Sequence, residues 1–93
     1  MRINHIVVDA EFRKAREIQN QNGETSYSLT FEDSDCNTFE VSMRDPKTFY
    51  LVQEFQKAYN YRLDLTFFSG TSRNGNHYEM LAPAFNDFAT ALD

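Results

Sequence analysis

The stretch "DAEFRKAREIQNQNG", residues 9–23, decides the fold. Read as a helix, it has Asp9 as N-cap, acids in its first turn and Gly23 as a stop. Phe12, Ala15 and Ile18 then recur every three residues, a narrow apolar stripe. Read as a strand, it continues the short β-branched run "INHIVV" (3–8) as a curved or irregular extension.

The segments that follow read the same either way. "TSYSLTFED" (25–33) alternates, with Tyr27, Leu29 and Phe31 on one side and Ser26, Ser28, Thr30 and Glu32 on the other. "NTFEVSMRD" (37–45) repeats the pattern with Phe39, Val41 and Met43 inward. The turn 33–36 joins them into a hairpin with one buried face. "DPKTFYLVQEFQKAYNY" (45–61) predicts the main helix: Asp45 caps it, and Pro46 takes the first position, where a missing N–H costs nothing. Leu51, Val52, Phe55, Ala58 and Tyr59 form its apolar face. "RLDLTFFS" (62–69) points Leu63, Leu65 and Phe67 inward and Phe68 outward. Asn74-Gly75 predicts a two-residue primed hairpin turn, and "HYEMLAPAF" (77–85) the last strand. "NDFATALD" (86–93) reads as one turn of capped helix or a frayed end.

With 9–21 as a strand, the order is β-β-β-α-β-β, a mainly β single domain built as a five-stranded OB-fold barrel around one main helix. With 9–21 as a helix, it becomes an α+β ferredoxin-like sandwich.

"INHIVVDAEFRKAREIQNQNGETSYSLTFED" resembles the opening of the bacterial single-stranded-DNA-binding protein family: an apolar strand, a charged stretch, an Asn-Gly turn and an alternating strand. "FYLVQEFQKAYNYRLDLTFFSGTSRNGNHYEML" resembles its second half, and the chain is similar in size to the small phage and plasmid binders. The resemblance implies an OB-fold that binds single-stranded DNA without sequence preference in replication or recombination. On it, Arg73 and Tyr78 flank a DNA-contacting hairpin, and Arg13 and Arg16 lie on the charged continuation of the first strand.

Composition sets the terms for that reading. The chain has 93 residues, one cysteine, no tryptophan, nine Phe and five Tyr. Its core must therefore be dense and aromatic. No apolar run approaches a membrane span, and the N-terminus lacks a signal-peptide layout, so a cytoplasmic protein is expected. Cys36 sits beside Asp33 and Asp35 and reads as a passive turn position. The net charge of −5 is uneven: residues 1–30 balance at zero, 31–60 hold −3 and 61–93 hold −2. An acidic chain binds a polyanion only where its bases gather on one face.

The candidate phosphate contacts are Arg13, Lys14 and Arg16, the one tight basic cluster, with Arg44, Arg62 and Arg73 if the fold brings them together. The outward positions of the central hairpin hold no aromatic, so stacking falls to Phe68 or Tyr78 at its rim. Phe68 and Tyr50 could equally fill an interface in a homo-oligomer. No nucleophile–base pair, phosphate-cradling glycine loop or zinc spacing occurs, so neither an enzyme nor a cofactor or metal is expected. The acidic run 32–35 with Glu40 and Asp45 supports a different class. On that reading the chain is an acidic protein-interaction module, or an inhibitor of a host nucleic-acid enzyme.

Overall fold

The computed structural model describes residues 2–71 and 73–92, leaving aside the side chains of Arg2, Ile3 and Tyr78. Six strands and one helix follow in order: β1 (Arg2–Gln19), β2 (Thr25–Asp33), β3 (Thr38–Met43), a 3₁₀ helix (Pro46–Glu54), β4 (Asn60–Thr71), β5 (His77–Pro83) and β6 (Ala89–Ala91). The strands neighbour one another in the order β1-β2-β3-β5-β4, and β4 returns to β1 to close a five-stranded barrel. β3 and β5 run parallel through Val41 and Leu81, while the other pairs are antiparallel. This connectivity is compatible with an OB-fold. The ferredoxin-like alternative is excluded, because residues 9–19 are strand. No helix among the described residues is long and apolar enough to cross a membrane.

A bulge explains why 9–23 resembled a helix. β1 pairs through residues 2–11 with β4, then through residues 10–19 with β2. The register slips between Phe12 and Lys14, which leaves Arg13 as an extra residue. Such a residue bends its strand and reverses which of the alternating side chains face in. Phe12 is buried opposite buried Phe31, and Ala15, itself exposed, pairs with buried Leu29, so the register sets both on the same face of the sheet. Their spacing of three is two strand steps plus the bulge. Beyond it, Lys14, Arg16 and Ile18 fall on the outer side with Thr30, Ser28 and Ser26. The Phe12 N–H donates to the Tyr59 carbonyl and the Ala58 N–H donates to the Phe12 carbonyl, both at 2.9 Å, which ties the bend to the start of β4.

The core is the inward face of these strands. Leu29, Phe31, Val41, Leu63 and Leu65 are fully buried. Phe55 joins them at the barrel end, with ring centroids 5.2 Å from Phe12, 4.9 Å from Tyr61 and 5.8 Å from Phe88.

Three expectations are corrected. The helix is shorter and tighter than 45–61. Asp45 caps it by accepting from the Lys47 N–H, but the chain turns extended at Phe55. Ala58 takes φ 72°, because its backbone is engaged by Phe12 rather than by a helical turn. Residues 86–92 are neither frayed nor a full helical turn: a turn at Asn86 and Asp87 leads to fully buried Phe88, and β6 then pairs with β4. The Asn74-Gly75 turn is not a two-residue primed turn, since Gly75 alone of the pair has positive φ. A primed turn of type I′ needs it at both. Gly23, Cys36 and Gly75 all take left-handed φ, each after two turn residues, so the three hairpin loops share one design.

Candidate nucleic-acid interface

The outer face of β1, β2 and β3 is built from the residues that alternate with the core. Arg16, Ser28 and Ser42 form one cross-strand row, and Lys14, Thr30 and Glu40 the next. Glu40 occupies the middle of this face. Its Oε1 accepts from the Ser28 hydroxyl at 3.0 Å and lies 3.7 Å from Arg16 Nη2.

Two surface cavities adjoin at Ser42 and Arg44. The first, of about 600 Å³, lies at the loop end of the face and includes Ile18, Asn20, Glu24, Ser26 and Tyr27 among its walls. The second, of about 370 Å³, crosses toward β5 and β4 over Phe68, Met80, Ala82 and Phe85. Phe68 and Met80 are register partners, which sets them side by side on the same face. Phe85 is 50 % exposed. The two cavities share walls as one groove: Asn20, Glu24 and Ser26 stand with Ile18 and Tyr27 at one end, Phe68, Met80 and Phe85 with Asp45 and Thr48 at the other, and exposed Arg44 borders both.

The predicted bases divide by their partners. Arg13, at the bulge, is ion-paired with Glu11, and that hydrogen bond raises its pKa above the usual arginine value. Arg62 donates from Nε to Asp9 Oδ1 at 2.9 Å and from Nη2 to Oδ2 at 3.2 Å. The same contact lowers the Asp9 pKa. Arg62 therefore faces β1 and lines neither cavity. Arg16 is shared with Glu40. Among the described residues, Lys14, Arg44 and Arg73 have no ion pair. Arg73 is exposed near the tip of the β4–β5 hairpin, outside the two cavities. Tyr78 pairs through its backbone with Gly70, and its side chain lies outside the described residues. Tyr50 is exposed on the helix and lines neither cavity.

Arg44 and Phe68 are thus the two predicted residues that meet on one groove. Asn20, Glu24, Met80 and Phe85 escaped the sequence reading, because strand order alone brings them together. The groove walls carry two acids beside Arg44, namely Glu24 and Asp45, and four more, Asp9, Glu11, Glu32 and Asp33, surround a separate cavity of about 390 Å³. No protein-family model matches the chain, and a search of curated proteins finds no match.

Proposed function

We propose that the chain binds single-stranded DNA along the groove through Arg44, without a fixed sequence, serving replication or recombination, with a phage or plasmid as a fitting source. The observation that carries this is an arginine without an ion pair among the described residues, bordering both a cavity with Asn20, Glu24 and Ser26 in its walls and one with Phe68, Met80 and Phe85. Arg44 neutralises a phosphate, and Phe68 or Phe85 stacks the neighbouring base. Lys14 and Arg73 extend the charge along the strand. One groove offers few phosphate contacts, so several copies share a strand.

The test is fluorescence anisotropy of a labelled mixed-sequence oligonucleotide at low and moderate salt. Binding weakens as salt rises, and Arg44→Ala lowers the salt slope by about one. Phe68→Ala costs about 1–3 kcal/mol of affinity. Absence of binding at low salt, or binding indifferent to salt, overturns the reading.

The acidic cavity around Asp9, Glu11, Glu32 and Asp33 supports a second reading, an acidic module that docks on the basic groove of a host nucleic-acid enzyme. It predicts a host protein retained through a moderate salt wash by the wild-type chain and lost with Glu32→Gln and Asp33→Asn combined.

A further inference from the structure

We infer that the groove discriminates by base type: its loop-end cavity favours a base with an exocyclic amino group, such as cytosine, over thymine. The inference rests on the single-strand reading above and adds to it a preference at one nucleotide position.

With a phosphate on Arg44, adjacent bases fall to either side. The base over Phe68, Met80 and Phe85 meets apolar surface, which holds any base by its face. The base on the other side meets Asn20, Glu24, Thr25 and Ser26. The carboxylate of Glu24 is the one anionic side chain among that cavity's lining residues. It is also held in place. Asn20 Oδ1 accepts from the Asn22 and Glu24 N–H groups, both at 3.0 Å, which fixes the amide's orientation. The amide's Nδ2 then donates to Glu24 Oε2 at 3.3 Å. The Asn20 N–H donates to the Glu24 carbonyl at 3.0 Å, and Gly23 supplies the left-handed turn that closes the loop. Glu24 Oε1 has no hydrogen bond among the described residues.

An ionised carboxylate only accepts hydrogen bonds. Cytosine offers it the N4 amino group, the pairing such side chains make with bases. Thymine instead presents one N–H between two carbonyl oxygens, and those oxygens repel a carboxylate. Cytosine and thymine are alike in size and stacking surface, so the difference between them isolates this hydrogen bond. The carboxylate also repels the phosphates, so it lowers affinity overall while it sharpens choice.

The test compares labelled hexamers of dC and dT by anisotropy at low salt, on the wild-type chain and on Glu24→Gln. Glu24 is exposed in a turn, and a thermal melt checks that the variant is folded. The wild type should bind the dC hexamer about tenfold more tightly. Glu24→Gln should abolish that ratio, chiefly by tightening dT, because glutamine can donate to a thymine oxygen. Equal binding of both hexamers by the wild type overturns the base preference and leaves strand binding standing. A preference that survives in Glu24→Gln also overturns it. If neither hexamer binds, the single-strand reading itself fails, and this inference with it.

Discussion

Cys36 holds φ 65°, where the other two hairpin loops have Gly23 and Gly75. The loops of Gly23 and Cys36 match in detail. Asp33 Oδ1 accepts from the Asp35 and Asn37 N–H groups at 2.9 Å, as Asn20 Oδ1 does from Asn22 and Glu24 at 3.0 Å. A side chain with a Cβ is strained by about 1–2 kcal/mol in this conformation, while glycine adds entropy to the unfolded chain. Cys36→Gly should therefore stabilise the fold by roughly 0.5–1 kcal/mol, and Cys36→Ala, which keeps the Cβ, should not. Urea denaturation of the two variants decides it: equal midpoints would show that the backbone there is relaxed. Ala58 is under the same strain, and its position is maintained by hydrogen bonding to Phe12.

At the scale of elements, the bulge at Arg13 lies where β1 passes from β4 to β2, since Ala10 and Glu11 pair with both. The Arg13 side chain is exposed and meets Glu11, so Arg13→Ala should leave stability almost unchanged. Deleting the residue straightens the strand and breaks the two bonds of Phe12 to Ala58 and Tyr59. That loss alone is about 2 kcal/mol. Thermal melts of both variants measure the contrast. The same bulge limited what the sequence could say. The 25–43 hairpin was legible because its period of two is unbroken and its face is buried. Across 9–23 the period breaks at one residue, and a strand with one slip reads as a weak helix. The helix was overextended because Ala58 and Tyr59 continue an apolar spacing that their backbones abandon for Phe12. β6 is three residues long, too short to show any period. In the groove, Arg44 and Phe68 could be named singly. Their neighbours Glu24 and Phe85 could not, because they belong to other strands and loops.

Over the whole molecule, closure depends on a residue that lines neither cavity of the groove. Phe88 has 0 % exposure beside Phe55, and its carbonyl accepts from the Asp64 N–H at 2.7 Å. Truncating a buried phenylalanine costs about 3–5 kcal/mol, a large share of the 5–15 kcal/mol typical of a whole domain. Phe88→Ala should thus move the denaturation midpoint far down, and with it every groove property measured near that midpoint. A midpoint within error of wild type would mean that the barrel closes without it. β1, for its part, serves two neighbours at very different distances along the chain. Its second half meets β2 across a short loop, but its first half must wait for β4, beyond the helix. Closing so long a loop makes folding slow, and until β4 arrives β1 is an unpaired apolar edge. The barrel is therefore expected to have a temporal order as well as a spatial one, with the β1–β3 meander assembling locally and early and the seam between β1 and β4 closing last. A destabilising substitution in the seam should speed unfolding and leave the folding rate nearly unchanged in stopped-flow kinetics, and a slowed folding rate would overturn that order.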